Sequence, residues 1–393
     1  MAKVCVVRRG PYPTDPRLHR HVQALLNAGH AVDLLCLAKP GFPRQERRGS
    51  LRIHRVSVPS DGTRFIAHLI HNAAFFIAAA TLITAQHLRR RYDLVQVQSL
   101  PDALVFAAVA PRLLGASVVL DLGECWPEYF ATRFETPLDH PVMRGLTVLE
   151  QLSIRFADGV LTCTEQMRDA FVRRGADTGK IAVVLNAAEE SVFDVQRHPH
   201  QGSGRDAFVL VCHGTVEERY GIDTVIRSLS ILKHEIPGLR LKVYGSGSRV
   251  GDLRRLAKDL GVGDRVWFSE THVPIHELLE GIAHADAGVV AKRGVLSDLI
   301  HCNKMFDLIA MRVPVLISRT RAVQAYFDAS CFEFFESGDA ADLARAIRRL
   351  HDDPAHRQRL VRRALEVAEP YRWEHQRDIY IDRIGDLLPR ISA

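Results

Sequence analysis

Two short segments in the second half of the chain combine residue types suited to binding phosphate. Residues 209–221, VLVCHGTVEERYG, indicate a buried strand, a turn at Gly214 and a helix that begins after Gly221. Such a turn presents backbone N–H groups and the positive end of a helix to a nearby anion. Residues 302–316, CNKMFDLIAMRVPVL, open a second helix with polar residues and carry an acidic residue on it. Together the two segments predict a nucleotide-diphosphate site.

Charged residues near the start of this second helix are the first candidates for contacting the anion. Asn303 and Lys304 open the helix, where the helix dipole and an ammonium group both favour a diphosphate. Lys292 and Arg293 follow an apolar run and are further candidates, although a surface charge is the simpler interpretation of each.

Apolar runs alternating with helical patterns must position these segments. In the first half we expect strands at 3–7, 31–37, 94–98, 117–121, 159–163 and 181–185, with helices at 18–28 and 101–114. In the second half we expect strands at 208–212, 239–244, 266–268, 287–291 and 313–317, with helices from 222 and around 253–260. This alternation indicates parallel sheets covered on both faces. The predicted fold class is α/β, with two doubly wound, Rossmann-like domains facing across a cleft and ligands at the carboxyl ends of the strands.

A polar stretch divides the chain. Residues 194–206, DVQRHPHQGSGRD, are rich in Gly, His and Arg and have the composition of a linker. We therefore expect an N-terminal domain at 1–193 and a C-terminal domain at 207–370. Residues 371–393 are expected to form a final helix that packs back toward the N-terminal domain.

The bulk composition limits the classes of function. The chain has 393 residues, 47% hydrophobic and 25% charged, which suits a soluble protein with two cores. Its net charge of +6 indicates either a solvated surface or an anionic partner, and we expect no nucleic-acid partner. Seven cysteines without a CxxC pair favour a reducing cytoplasm, and no Cys/His spacing predicts a metal site. The chain enters a strand at once, so no cleaved signal peptide is expected.

Residues 65–88 contain no Asp, Glu, Lys or Arg and would just span a bilayer. Apolar residues recur there at helical spacing, while histidines and Asn72 interrupt the run. We favour a buried or groove-lining helix, with an interfacial membrane helix next and a true span last. The arginines at 89–91 suit acidic lipid head groups or an ordinary helix end. Peripheral contact of residues 65–91 with the inner face of the plasma membrane therefore stays open.

Further motifs along the whole chain add a family resemblance. The first half contains DPRLHRHVQALLNAGHAVDLL, LPDALVFAAVAPRLLGASVVLDLGECWPEYF, FADGVLTCTEQM and VVLNAAEESVF. The second half contains HGTVEERYGID, LKVYGSGS, VWFSETHVPIHELLEGIAHADAGVV and NKMFDLIAMRVPVL. In order and spacing these resemble the family-four retaining glycosyltransferases of the "glycosyltransferase group 1" type, which have the GT-B architecture and need no metal. The resemblance implies an acceptor-binding N-terminal domain and a C-terminal domain for a nucleotide-sugar donor. Because the donor is a substrate, no cofactor is expected.

The resemblance also implies the donor-contacting residues. They are Gly214, Thr215, Gly245, Glu270, Val273, Asn303 and Asp307. Asp307 matches an acidic residue that accepts hydrogen bonds from the ribose hydroxyls, for which a carboxylate offers paired acceptors. Gly245 lies in a short Gly-rich loop that lets the backbone approach a ligand. Residues 269–273 would hold the base.

Around the phosphate turn the chain departs from the family pattern. Many relatives carry an Arg and a Lys where this chain has Thr215 and Tyr220. Arg219 is therefore expected to reach the diphosphate instead, with Lys304 as the second cation. The second of two glutamates in the family pattern corresponds to Asp307, whereas the first falls on Leu299, with Asp298 next to it as a substitute only if the loop is shifted.

The acceptor side departs as well. Relatives often place a His at the position of Gly123, so Glu124 or Asp121 would serve if a side chain is needed. We expect Glu124, Arg219 and Lys304 to be the catalytic residues. The expected acceptor-side residues are Asp15, Arg17, Gly123 and Trp126. Packing of the Trp126 ring on the sheet is an equal alternative.

The expected activity is retaining transfer of a sugar from an NDP-sugar, with UDP favoured, to a hydroxyl group. The acceptor would be a lipid-linked glycan, a cell-surface polysaccharide precursor or a small natural-product sugar. Two alternatives remain open. One is a nucleotide-sugar-binding protein without transfer, and the other is a GT-B-like nucleotide-sugar epimerase.

Overall fold

Two β-sheets, each flanked by helices, organise the chain. The computed structural model describes residues 1–58, 65–204, 207–269, 271 and 273–388, and of residues 65–69 it describes the backbone only. The described chain divides into two compact units, the first formed by Met1–Leu185 with Glu374–Ala393 and the second by Asn186–Trp373.

The first unit contains an eight-stranded sheet in the order β3-β4-β2-β1-β5-β6-β7-β8. Its strands are β1 (Lys3–Pro11), β2 (Ala31–Leu37), β3 (Gln45–Arg48), β4 (Leu51–Val56), β5 (Leu94–Gln98), β6 (Ser117–Leu122), β7 (Gly159–Thr162) and β8 (Ile181–Val183). All neighbours pair in parallel except β3 and β4, which form an antiparallel edge. Its helices are α1 (Pro16–Asn27), α2 (Phe65–Arg90), α3 (Val109–Leu113), α4 (Trp126–Phe134), α5 (Pro141–Phe156) and α6 (Glu165–Arg173).

The second unit contains a six-stranded, fully parallel sheet in the order β11-β10-β9-β12-β13-β14. Its strands are β9 (Phe208–His213), β10 (Leu239–Tyr244), β11 (Val266–Phe268), β12 (Ala287–Val290), β13 (Val315–Ser318) and β14 (Glu333–Phe335). Its helices are α7 (Ile222–Leu232), α8 (Val250–Asp259), α9 (Ile275–Ala283), α10 (Asn303–Ala310), α11 (Arg321–Gln324), α12 (Ala340–Asp352) and α13 (Pro354–Ala368). The last helix, α14 (Trp373–Leu387), carries the chain into the first unit.

Continuous apolar runs explain why the central strands are parallel and covered on both faces. Every residue of β9 is buried, as is every residue of β5. A strand buried on both faces needs helices on each side of its sheet. The predicted fold class, two doubly wound α/β units, is therefore confirmed.

Three features of the fold differ from the expected elements. Residues 45–56 form the hairpin β3–β4, and residues 333–335 form β14, neither of which was expected. The expected helix at 101–114 is instead a 3₁₀ segment, Asp102–Ala108, followed by the short α3. The units divide between Leu185 and Asn186, and the described part of the expected linker 194–206 belongs to the second unit.

Helix α2 has one buried and one exposed face. Phe75, Ala79 and Ile83 are buried against the first unit, whereas Ile77 is 64% exposed and Leu88 is 59% exposed. Among the described helices, none is both long and apolar enough to cross a membrane.

Candidate active site

The Gly214 turn lies at the carboxyl end of β9 and is locked to the neighbouring strand β10. The Gly214 N–H donates to the Tyr244 carbonyl oxygen at 2.8 Å, and the Val216 N–H donates to the Ser246 carbonyl oxygen at 2.9 Å. A Cβ at Gly245 would lie 1.8 Å from the Gly214 carbonyl oxygen, so only glycine allows this approach. These two N–H groups are therefore committed within the protein and are not aimed at a ligand.

Lys304 supplies positive charge at the same turn. A Cβ at Gly214 would lie 2.8 Å from Lys304 Cε and 3.2 Å from Lys304 Nζ, so the lysine side chain lies directly over this glycine. Burial lowers the pKa of Lys304 below its ordinary value. The structure thus brings together Gly214 and Lys304, two residues predicted from separate segments.

The Tyr220 ring contacts two cations, Lys304 and Arg219. Lys304 Nζ is 3.9 Å from the centroid of the Tyr220 ring, and the guanidinium carbon of Arg219 is 5.2 Å from it. Arg219 Nη2 also donates to the Tyr220 hydroxyl at 3.4 Å. Arg219 and Lys304, both expected to be catalytic, therefore share one aromatic ring.

Asp307 and His213 form a pair beside the turn. His213 ends β9, and its Nε2 is 3.1 Å from Asp307 Oδ2 on α10. Asn303 lies one helical turn earlier than Asp307 and therefore on the same face of α10. His213 was not among the predicted site residues, although the sequence places a histidine directly before the glycine of the turn.

A cavity of about 270 Å³ opens at the carboxyl ends of β9 and β10. It is lined by His213, Gly214, Thr215, Tyr244, Gly245, Ser246, Val273, Ile275 and Leu278. Four of these lining residues, Gly214, Thr215, Gly245 and Val273, were predicted to contact a donor. Carboxyl ends of parallel strands are where ligands bind in such sheets.

In the segment expected to hold a base, the Ser269 side chain is hydrogen-bonded to backbone groups. Ser269 Oγ accepts from the Gly245 N–H at 2.9 Å and donates to the Thr271 carbonyl oxygen at 2.9 Å. Val273 lines the cavity. The predicted donor residue Glu270 lies outside the described residues.

Two further basic candidates are engaged elsewhere. Lys292 Nζ donates to the Ile300 carbonyl oxygen at 3.0 Å. Arg293 forms ion pairs with Asp223 at 2.9 Å and Glu218 at 3.2 Å. Both side chains therefore have partners other than Gly214, over which Lys304 lies.

On the acceptor side, Arg17 is buried rather than exposed. Its Nη2 is 2.8 Å from Asp121 Oδ1, and its Nη1 donates to the Val184 carbonyl oxygen at 2.8 Å. Burial alone would raise the pKa of Asp121, but the Arg17 guanidinium and then His21 outweigh it and hold that pKa well below its ordinary value. The prediction that Arg17 contacts an acceptor is therefore corrected, since its guanidinium joins three elements inside the first unit.

Asp15 has a structural task at the start of α1. Its Oδ1 caps the helix by accepting from the Leu18 N–H at 3.1 Å, and its Oδ2 is 2.8 Å from Arg8 Nη2. A carboxylate at this position satisfies an otherwise unpaired helical N–H group. An acceptor contact by Asp15 would compete with both interactions.

Around Gly123 the first unit keeps open space. A Cβ at this glycine would meet no atom within 4 Å, and its N–H donates to Ser99 Oγ at 3.3 Å. Glu124 and Trp126 follow it and are partly buried. Glu128 points instead to a buried ion pair with Arg174, which also binds Glu150 at 2.9 Å. In the ECWPE segment, Glu124 and Trp126 are therefore partly accessible, whereas Glu128 is bound within the first unit.

Two family matches cover most of the chain. Residues 14–187 match the Glycosyl transferase 4-like domain family, and residues 207–353 match the Glycosyl transferases group 1 family. The chain belongs to the group 1 glycosyltransferases and is an enzyme that transfers sugars, as the resemblance predicted.

Curated relatives share about a quarter of the aligned residues with this chain. A 2-deoxystreptamine glucosyltransferase from Streptomyces kanamyceticus is 25% identical over 373 residues, 86% of this chain and 89% of that enzyme. A D-inositol 3-phosphate glycosyltransferase from Thermomonospora curvata is 27% identical over 250 residues, 57% of this chain and 55% of the relative. The match thus spans about half the length of the latter enzyme.

Solved structures show the same fold. Sucrose-phosphate synthase from Thermosynechococcus elongatus superposes with a TM-score of 0.74 at 18% identity, covering 98% of each chain. Anabaena HepE in complex with UDP and glucose superposes with a TM-score of 0.73 at 13% identity, covering 98% of this chain and 100% of the other. Both similarities confirm the GT-B fold class.

Proposed function

We propose that this glycosyltransferase takes a sugar from a UDP-sugar and transfers it, with retention at the anomeric carbon, to a hydroxyl group. The observation that carries this proposal is the cavity at the carboxyl ends of β9 and β10, with Lys304 over Gly214 and Asp307 beside His213. Cation, carboxylate and apolar wall are the three partners that a nucleoside diphosphate needs.

Each partner takes one part of the donor in this proposal. Lys304 contacts the diphosphate, and the helix start at Asn303 adds favourable dipole charge. Asp307 accepts hydrogen bonds from the ribose hydroxyls through the oxygen that His213 does not contact. Val273 forms part of the wall against the base.

The chemistry asks little of the protein beyond binding and charge. As the bond between the sugar and the diphosphate breaks, negative charge grows on the leaving phosphate, and a fixed ammonium stabilises it. The acceptor hydroxyl attacks from the same face, and its proton can pass to the departing phosphate oxygen. Glu124 is the side chain proposed to orient the acceptor, and no metal is required. Addition of a chelator should leave the transfer rate unchanged.

The choice of UDP and the range of acceptors rest on the similar proteins. HepE was solved with UDP and glucose, and the relatives include enzymes named for 2-deoxystreptamine and for D-inositol 3-phosphate. These names favour a hydroxyl on a sugar-like ring. They also favour transfer over the alternatives of a non-transferring binder or an epimerase.

A donor screen tests the proposal. Thermal unfolding would be followed with UDP-, GDP- and dTDP-sugars, because a ligand that binds the folded state at a hundredfold excess over Kd stabilises it by about 2.7 kcal/mol. We expect stabilisation by UDP-sugars and slow release of UDP in the absence of acceptor. No stabilisation by any nucleotide sugar would contradict the proposal.

We also propose that the acceptor is held at a membrane, with the exposed face of α2 resting on an anionic lipid surface. Ile70 and Ile77 on this face are 54% and 64% exposed, and Leu113 on α3, which packs against α2, is 83% exposed. Exposed Arg89 and Arg91 follow at the end of the helix. An apolar face with basic residues at its border complements acidic head groups.

Vesicle flotation tests this surface. The wild-type protein should float with phosphatidylglycerol-containing vesicles and much less with pure phosphatidylcholine. Ile77→Asp combined with Leu113→Asp should abolish flotation, whereas Ile231→Asp, at an exposed isoleucine of the second unit, should not. Failure of the wild type to float, or its self-association through this face instead, would contradict a membrane role.

A further inference from the structure

We propose that Tyr220 is a positioning residue that holds the Lys304 ammonium against the Gly214 turn, so that α10 supplies the main phosphate-binding charge of the site. This inference rests on the proposed nucleoside-diphosphate site and adds to it the residue that places its cation.

Geometry fixes Lys304 between two surfaces. Its Nζ is 3.9 Å from the Tyr220 ring centroid, which is within the distance at which an ammonium is attracted to an aromatic face. The same Nζ would be 3.2 Å from a Cβ at Gly214. The lysine therefore crosses the turn at the one residue without a side chain and ends on the tyrosine ring.

The turn itself offers little else to an anion. The N–H groups of Gly214 and Val216 are bonded to carbonyl oxygens of Tyr244 and Ser246. The positive groups at this point of the cavity edge are therefore side chains, the Lys304 ammonium over Gly214 and the Arg219 guanidinium on the same tyrosine ring.

The surroundings give Lys304 a ring in place of a counter-ion. Burial lowers the pKa of Lys304, and the titratable groups that act on it are the thiols of Cys302 and Cys212 and the cations Lys292 and Arg219. Among the described residues, no carboxylate forms an ion pair with it. A bound phosphate would thus give the ammonium a full negative counter-charge. In the free protein, the tyrosine ring stabilises the charged form of Lys304.

A tyrosine that served only as core packing would behave differently. The Tyr220 ring is partly buried against an apolar cluster, so a smaller residue there lowers stability in either case. Only a positioning role also changes the affinity for the diphosphate and its dependence on pH. These two readouts separate the alternatives.

The test is UDP titration by calorimetry with Tyr220→Phe and Tyr220→Leu. Phenylalanine keeps the aromatic face, so affinity should stay within about twofold of wild type. Leucine removes it, and affinity should fall roughly tenfold. Tyr220→Met is the second variant if the leucine protein does not fold.

The pH profile adds an independent readout. Lys304 binds phosphate in its protonated form, so affinity should fall as pH rises through a pKa that burial places below the ordinary lysine value. Without the ring the charged form is less favoured, so Tyr220→Leu should move this loss to lower pH. Lys304→Arg, which stays charged, should remove this part of the profile, since ionisation of the ligand is common to all variants.

The last test moves the cation from position 304 to position 220. Lys304→Met should lose most of the UDP affinity, and Lys304→Met with Tyr220→Lys should recover part of it, since the ring and the ammonium occupy one small region. Wild-type affinity and pH profile in Tyr220→Leu would overturn the inference and leave the proposed function intact. Absence of UDP and GDP binding to the wild type would overturn both.

Discussion

At the carboxyl edge of the first sheet, charged side chains are paired with one another, whereas at the edge of the second sheet a lysine lies over a glycine turn beside a cavity. Arg17 is bonded to Asp121 inside the first unit, and Arg174 joins two glutamates behind α4. In the second unit Lys304 rests on a ring and a backbone. Two sheets of the same class thus use charge for different ends.

Under the proposed function, this difference would let one fold serve two substrates. Paired charges at the first edge fix loops, and in the proposal the acceptor would be recognised by the few groups around Gly123, whose neighbourhood is open. Unpaired charge at the second edge is suited to a phosphate that all nucleotide sugars share. A variable acceptor and an invariant diphosphate are consistent with this division.

Removing the buried cation of the first unit should have the largest effect on stability. Arg17→Ala leaves Asp121 buried without its arginine partner and with His21 at 3.4 Å, and we expect the free energy of unfolding to fall by about 3–5 kcal/mol. Arg112→Ala is the matched control, because the side chains of Arg112 and Asp158 are 40% and 33% exposed and their pair should be worth about 0–1 kcal/mol. Denaturant unfolding measures both, and equal losses would remove the contrast between buried and exposed charge.

The carboxylate of the second edge should matter for binding. Asp307→Ala removes a charged acceptor for the ribose hydroxyls, and UDP affinity should fall by roughly 10- to 100-fold, following about 1.5–3 kcal/mol for such hydrogen bonds. Asp298→Asn is the control, since the Asp298 carboxylate accepts from the Arg321 N–H at 2.9 Å. Calorimetric titration would refute the assignment if Asp298→Asn weakened UDP binding and Asp307→Ala did not.

In each unit, a residue with positive φ at a helix end can be replaced by glycine to increase stability. Arg312 after α10 and Glu135 after α4 adopt positive φ values of 56° and 50°. Replacing either by glycine should raise the free energy of unfolding by about 1 kcal/mol. Lys258→Gly, in the last turn of α8, relieves no positive φ and should lower the free energy of unfolding by up to about 1 kcal/mol. Thermal unfolding measures all three variants. A loss of stability in both cap variants would mean that their side chains have other tasks.

A side chain at the open position of the first unit should change stability least. Gly123→His meets no atom near its Cβ and should alter the free energy of unfolding by less than about 0.5 kcal/mol. UDP affinity should stay at the wild-type level, while the preference among acceptor sugars changes. Gly245→Ala, which would drive a Cβ against the Gly214 carbonyl oxygen, should lose both stability and UDP binding. Reduced UDP affinity in Gly123→His would place this glycine in the donor site.

The sequence was sufficient for the central strands and for the two segments that meet where Lys304 lies over Gly214. Apolar runs such as β9 and the glycine turn are local features that pattern and composition reveal. Hairpin β3–β4 was missed because QERR carries no apolar period, although LRIHRV in β4 alternates buried and partly buried residues. That alternation was a usable indication of a strand.

Contacts between distant positions could not be read from the sequence. Arg17 and Asp121 lie 104 residues apart, and their pairing depends on α1 and β6 meeting in one unit. Lys304 reaches Gly214 because β9 and β12 are neighbours in the second sheet. The sequence predicted an acceptor-side arginine at 17, and packing placed its side chain in the interior.

The second-edge charge is tested most directly by comparing UDP with UMP in the wild type and in Lys304→Met. The two ligands differ by one phosphate, so the ratio of their Kd values isolates the diphosphate contact. We expect UDP to bind the wild type at least about tenfold more tightly than UMP, and this ratio to approach one in Lys304→Met. An unchanged ratio in the variant, or equal binding of the two ligands to the wild type, would contradict the account.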